Sequence, residues 1–324
     1  MKPANLTRSA QPSAAHGLPT RQGVSPSCVG LSAGPWLTIT DFLVERFPAV
    51  SRSVWLERMA QGLMADEYGQ PITSERPYQA PLRVYYYRDQ AAMAAEPEVP
   101  FEAQVLYQDA HLVVADKPHF LPVTPSGPYV QQTLLVRLKN QLGLPDLAPL
   151  HRIDRETAGL VLFGVQRSER DAYQALFRDR ALAKHYLAVA PFRADLALPL
   201  TRLSRIEPDE PFFRQREVPG EANSETRIEW LAQQGEQTLY SLSPVTGRKH
   251  QLRVHMNALG LPIKGDRIYP PVEVTPHDDF AKPLQLLAQA LEFKDPLSGQ
   301  PRRFESQRKL DWPPGDQVAS KQAT

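Results

Sequence analysis

The 324-residue chain has a single cysteine, Cys28. A disulfide framework needs cysteine pairs and a Cys-based zinc site needs several, so both are excluded. Long apolar runs are missing as well: stretches such as residues 159–165 fall far short of the roughly 18 residues that span a bilayer. No charged-then-apolar segment opens the chain, so no signal peptide is expected, and a soluble cytoplasmic protein is the starting expectation. Net charge has almost no sign: 37 Lys and Arg stand against 36 Asp and Glu, giving +1. Overall charge is therefore no guide to partners, and its distribution must be read instead. Proline, by contrast, is plentiful. The 32 prolines are about 10% of the chain, twice ordinary usage, which argues against a long helical bundle or coiled coil. The 42% hydrophobic content suffices for a core, and the length suits roughly two domains.

Charge is uneven. Residues 1–35 carry Lys2, Arg8 and Arg21 and no acid. Residues 36–100 carry six basic and nine acidic residues, net −3. Residues 247–267 carry Arg248, Lys249, Arg253, Lys264 and Arg267 against Asp266, net +4. Such a stripe fits a solvated face as well as a nucleic-acid contact.

Residues 1–35, rich in Ser, Pro, Gly and Ala, are expected to be a disordered tail, as are residues 314–324. Two short helices are expected at 38–47, starting near Thr40 or Asp41, and at 53–61, stopped by Gly62. Short strands at 63–64 and 83–87 complete a small α+β module over 36–90, and 91–100 reads as a linker. From 101 to 313, strands are expected at 112–115, 159–165, 186–190, 226–231 and 238–242. Helices are expected at 132–142, after a Ser168 cap, and at 250–259. Strands and helices alternate without a βαβ beat, which favours an α+β fold with a mixed or antiparallel sheet.

Four segments carry chemistry. In His151-Arg152-Ile153-Asp154-Arg155-Glu156-Thr157-Ala158-Gly159, Asp154 is flanked by two arginines and a histidine. Nearby positive charge keeps a carboxylate ionised, whether it serves as a nucleophile or only as an ion-pair partner. In residues 245–269, a glycine turn leads into a helix bearing Arg248, Lys249, His250, Gln251 and Arg253, which suits phosphate or base-edge contact. A metal reading of His250 and His255 is weak, because five residues place them about 140° apart on a helix. Tyr186 opens an apolar strand, where a tyrosine is ordinarily core. Asp116-Lys117-Pro118 leads from a strand into a proline-stiffened loop.

HRIDRETAGLVLF resembles the first signature of the RluA-type pseudouridine synthases, with Ile153 and Ala158 as size-preserving departures. TGRKHQLRVHMNALGLPIKGDRIY resembles their second signature, with Leu261 where the family often has His. VVADKPHFLPVTPSG and KHYLAVA resemble their lysine-proline and Lys-x-Tyr segments, and all four stand in family order over some 200 residues. The resemblance implies an α+β catalytic domain of the pseudouridine synthase type over 101–313. It implies isomerisation of specific uridines in structured RNA, ribosomal RNA of the large subunit first and transfer RNA second, after the base is flipped out. It also implies no cofactor and no metal, and RNA as the partner of a monomer. Asp154 becomes the catalytic aspartate, Tyr186 the platform for the uracil ring, and Arg253 the partner of Asp154. Arg152 helps hold the flipped nucleotide, and Arg248, Lys249 and His250 contact RNA or shape the cleft. The 36–90 module resembles, more loosely, the small RNA-binding domain that precedes many such catalytic domains, but the net −3 of residues 36–100 argues as much for a structural or docking role.

Two other readings remain from the residues alone. An N-glycoside hydrolase also works at a glycosidic carbon, but it ordinarily needs two carboxylates and only Glu156 lies near Asp154. An inactive RNA-binding assembly factor would have no need to keep Asp154, Tyr186 and Arg253 together.

Overall fold

Short β-branched and aromatic runs punctuated by proline favour strands over long helices, and strands dominate. The computed structural model describes residues 20–87, 96–211, 213–270 and 279–312. The chain divides into two units. One comprises Met1–Glu96, Gly127–Gln131 and Val136–Asp146; the other comprises Pro97–Ser126, Gln132–Leu135 and Leu147–Thr324. Residues 1–19 of the expected N-terminal tail, residues 91–95 of the expected linker and the expected tail at 314–324 lie outside the described residues.

The first unit contains β1 (Ser27–Leu31), α1 (Ile39–Arg46), α2 (Arg52–Ala60), β2 (Met64–Asp66) and β3 (Leu82–Tyr86). The strands form an antiparallel sheet in the order β1-β3-β2. Thr38, rather than Thr40 or Asp41, caps α1: its hydroxyl accepts from the Asp41 N–H at 3.2 Å, and the Asp41 carboxylate accepts from the Thr38 N–H at 3.1 Å. That capping box frees Ile39, Phe42 and Leu43 to pack with Trp55, Met59 and Val84 in the core.

The expected tail is corrected here, because residues 27–31 are a strand. Ser27 to Leu31 pair with Tyr86 to Leu82, and Leu31 is buried. Small residues hid the strand, since Ser, Cys and Gly give no apolar alternation to read. The same unit takes in residues 127–131 and 136–146, which the sequence assigned to the second domain. The Glu96 carboxylate accepts from the N–H groups of Val130 and Gln131 at 2.6 and 2.9 Å. Lys139 donates to the Ser25 hydroxyl at 3.2 Å, and Val24, Val130 and Val136 share a small cluster.

The second unit carries β4 (Gln104–Gln108), β5 (Leu112–Lys117), β6 (Ala148–Pro149), β7 (Ala158–Gly164), β8 (Ala183–Pro191), β9 (Leu200–Pro208), β10 (Gln215–Val218), β11 (Ser224–Gln234), β12 (Gln237–Pro244), β13 (Leu286–Lys294) and β14 (Pro301–Glu305). These make one eleven-stranded sheet in the order β10-β9-β11-β12-β8-β13-β7-β5-β4, with β14 on β13 and β6 on β7. The β7–β13 pair is parallel and the other described pairs are antiparallel, so the sheet is mixed, as expected for α+β. The helices are α3 (Leu134–Leu142), whose residues from Val136 on belong to the first unit, α4 (Arg170–Arg178) and α5 (Gln251–Ala258). Ser168 does not cap α4; it lies within a 3-10 turn, Arg167–Glu169, and α4 begins after Glu169 without a side-chain cap. Among the described residues no helix is long and apolar enough to cross a membrane.

Two features of this sheet aim the chemistry. Gly159 on β7 has φ +112°, and a Cβ there would stand 2.3 Å from the Ala288 carbonyl oxygen on β13. Only glycine lets the two strands meet there, and the 151–157 loop hangs from that junction. Leu252 and Met256 of α5 pack against Ala188, Tyr240 and Leu242 of β8 and β12, which docks the helix on the sheet.

Candidate active site

Asp154 lies in the loop between β6 and β7, with 28% of its side chain exposed. Its cationic neighbour is not the one its sequence flanks suggest. Arg155 is turned to Glu156 at 2.6 Å. His151 accepts the Leu162 N–H with Nε2 at 3.0 Å, and burial drives its pKa down to about 3, so it carries no charge. The charge that faces Asp154 comes from α5: Arg253 Nη1 stands 3.4 Å from Asp154 Oδ2. The Arg253 side chain is only 2% exposed. Its other two nitrogens, Nε and Nη2, donate to the two oxygens of Asp266 at 2.8 and 2.7 Å. Asp266 Oδ1 also accepts from the N–H groups of Ile268 and Tyr269 at 2.9 and 3.1 Å. Burial works against charge on Arg253, but the Asp266 hydrogen bonds outweigh it and hold the guanidinium charged.

His250 closes the other side, with Nε2 4.0 Å from Asp154 Oδ1. Burial lowers its pKa to about 4, so the ring is neutral at pH 7. Burial raises the Asp154 pKa, but the attraction of His250 and Arg253 outweighs that and leaves it below the ordinary carboxylate value. Arg253 adds a hydrogen bond to its charge at Asp154 Oδ2. The carboxylate is thus ionised and held at physiological pH.

Tyr186 on β8 pairs across the sheet with Leu242 and Ala288. Burial, with Asp154 adding to it, pushes its phenol above the ordinary tyrosine value, so the hydroxyl stays protonated. Asp154, Tyr186, Arg253, Arg152, Arg248 and His250 all line one cavity of about 440 Å³. Lys249 does not; it is exposed on the turn beside the cavity. Arg248 reaches back to donate to the Asn223 carbonyl at 3.0 Å. Gln251 fixes the start of α5 to β11 by donating to the Glu225 carbonyl and Thr226 hydroxyl, both at 2.9 Å.

Several lining or supporting groups carried no assignment from the sequence. Lys184 lines the cavity and donates to the Thr246 carbonyl at 2.9 Å. Phe177 and Arg178 reach it from the end of α4. Lys117, fully buried, donates to the carbonyls of Pro118 and Arg155 at 2.9 and 3.0 Å, tying the end of β5 to the Asp154 loop. Burial lowers its pKa to about 7. Asp266 and Tyr269 hold groups that flank Asp154 from behind the cavity.

Residues 111–258 match the RNA pseudouridylate synthase family. An uncharacterized RNA pseudouridine synthase of Synechocystis is 34% identical over 253 residues, covering 75% of this chain and 83% of that one. The chain belongs to the RluA-type RNA pseudouridine synthases. The dual-specificity RNA pseudouridine synthase RluA of Vibrio cholerae is 35% identical over 202 residues, 60% of this chain and 78% of that one. The structure of human RNA Pseudouridylate Synthase Domain Containing 1 shares the fold, with a TM-score of 0.51 at 22% identity over 66% of this chain and 86% of that one. This RluA-type synthase isomerises uridine to pseudouridine in RNA. The hydrolase and the inactive-factor readings give way to that membership.

Proposed function

We propose that Asp154 is the catalytic carboxylate of this synthase, acting on a uridine flipped out of structured RNA into the cavity. The observation that carries the reading is the 3.4 Å contact between the ionised Asp154 and the buried, always-charged Arg253. The N1–C1′ bond breaks, the uracil turns over, C5 bonds to C1′, and the C5 proton leaves while N1 gains one. Attack by Asp154 on C1′ and abstraction of the 2′ proton both need the ionised form that Arg253 maintains. Nothing is oxidised or hydrolysed in this sequence.

Extracting the base costs a few kcal/mol. Stacking on Tyr186 offsets about 1–3 kcal/mol of it. Arg152, exposed at the cavity mouth, is placed to occupy the space that the base leaves. Arg248, Lys249 and Lys184 supply positive charge for the flanking phosphates. Large-subunit ribosomal RNA is the substrate proposed first and transfer RNA second, met by a monomer in the cytoplasm. Mapping pseudouridine in total RNA from cells with and without the protein identifies the sites.

Tyr186→Phe is expected to retain RNA binding and measurable turnover, since the ring is the platform and the protonated hydroxyl is no base. Tyr186→Ala is expected to lose roughly 10-fold or more in binding of the flipped state, in line with one stacking contact. Stopped-flow binding and single-turnover assays on both variants check this. A Phe variant that binds but never turns over assigns the hydroxyl a proton-transfer role instead.

RNA affinity is expected to fall steeply with salt. Replacing Arg248 and Lys249 together by alanine should flatten the slope of log affinity against log salt by about 0.7 to 1.4, one to two phosphate contacts on single-stranded RNA. Filter binding between low and physiological salt measures it. An unchanged slope removes both residues from the RNA contact.

A further inference from the structure

Behind the cavity, Tyr269 is 2% exposed and is not among the lining residues. Its hydroxyl accepts the Gln215 N–H at 2.9 Å and stands 3.0 Å from Nδ1 of His250. Among the described residues, that imidazole nitrogen is the one acceptor within hydrogen-bond reach of the phenolic proton. The two rings meet edge to face, at 5.8 Å and 88°. His250 itself sits at φ 55°, ψ 17°, a left-handed conformation that an ordinary residue avoids, at the N-cap of α5. Its other nitrogen, Nε2, is the atom 4.0 Å from Asp154 Oδ1.

We infer that Tyr269 is a positioning residue for the isomerisation: its hydroxyl donates to His250 Nδ1 and so fixes the tautomer that turns Nε2–H toward Asp154. The inference rests on Asp154 being the catalytic carboxylate. A neutral imidazole carries one ring proton, and the partner of one nitrogen decides which nitrogen bears it. With Nδ1 accepting from Tyr269, Nε2 must donate. The opposite tautomer would aim a lone pair at a carboxylate and repel it. The Gln215 N–H directs the phenol: it occupies one lone pair of the hydroxyl and leaves the proton for the imidazole. The same turn holds the second partner of Asp154, because the Ile268 and Tyr269 N–H groups brace Asp266, and Asp266 grips Arg253. One short turn outside the cavity therefore sets both groups that face the carboxylate.

Two measurements test this. Long-range proton–nitrogen spectra of the histidine rings in the full-length protein read the tautomer directly. The expected result is a neutral His250 protonated on Nε2; a ring protonated on Nδ1 overturns the inference whatever the variants do. The second is a cycle of wild type, Tyr269→Phe, His250→Asn and the double variant, with asparagine chosen because it tolerates the left-handed conformation. Tyr269→Phe should lower the single-turnover rate constant roughly three- to tenfold, the scale of one hydrogen bond, with the RNA Kd within twofold. In the His250→Asn background the same change should be silent. An equal fall in both backgrounds, or none in wild type, shows that Tyr269 does not act through His250. Asp154→Asn runs alongside: if it still turns over, the assignment of Asp154 fails, and if it is dead while the cycle is additive, only the relay fails.

Discussion

Arg253→Met is expected to unfold the catalytic unit more easily by about 3–5 kcal/mol and to abolish turnover, the stability cost being that of stranding a buried charge. Asp266 is 1% exposed at its side chain and takes two guanidinium hydrogen bonds. Removing the cation leaves that carboxylate with two backbone N–H groups and no counter-charge. At roughly 2–4 °C per kcal/mol for a domain of this size, the melting temperature should drop by about 10 °C. The double variant Arg253→Met, Asp266→Leu separates the two roles. A buried pair replaced by apolar side chains of similar volume is often close to neutral in stability. The double variant should therefore recover most of the melting temperature and none of the activity, because nothing then holds Asp154 ionised and aimed. Calorimetry with a single-turnover assay checks both halves. Recovery of activity in the double variant would show that Arg253 serves the fold alone.

Asp154→Asn is the second large effect. The amide has nearly the same shape, so the RNA contacts around it persist, and phosphate contacts dominate affinity. RNA binding should change only a few-fold. Turnover should fall by at least roughly 10³-fold, the scale at which a positioned nucleophile or general base is missed. The pH dependence has a defined sign. The native carboxyl titrates below its ordinary value of about 3.9, so activity should survive acidification past that point instead of falling above it. An acid limb in kcat/KM well above pH 4 that persists in the His250→Asn variant would point to a different titrating group.

The large second domain, its mixed sheet and five of its eleven described strands were legible because those five carry apolar, β-branched or aromatic runs. Ala158–Gly164 is of this kind, buried along its whole length, and Ala183–Pro191 buries Ala188, Val189 and Ala190. What stayed hidden was structure without an apolar period. Ser27–Leu31 is a strand made largely of small residues, and Leu200–Pro208, although prolines bound it, mixes Arg202, Ser204, Arg205 and Glu207 among its apolar residues. The division into units escaped for another reason: the contacts that bring residues 136–146 to the first unit, such as Lys139 to Ser25 and Val136 to Val24, join residues more than 100 positions apart in the chain.

Legibility at the site followed the same divide. The motif residues were found because their types and order match a family, and the cavity gathers six of the seven. The resemblance pairs Asp154 with Arg253, whereas the arginines flanking Asp154 in sequence point elsewhere, since adjacent arginines in a loop need not point the same way. Arg155 pairs with its neighbour Glu156, and the working cation stands 99 residues further on. Asp266 and Tyr269 were visible only as part of a matching string, because a residue that works through another leaves no mark in spacing.

The most direct test of the account uses RNA carrying tritium at uridine C5. Forming the C5–C1′ bond expels that atom into water, whereas hydrolysis of the N1–C1′ bond alone releases labelled uracil. The wild-type protein should release tritium one for one with pseudouridine formed, with no free uracil, and Asp154→Asn should release none. Labelled uracil from the wild type, or tritium release by the Asn variant, would contradict it.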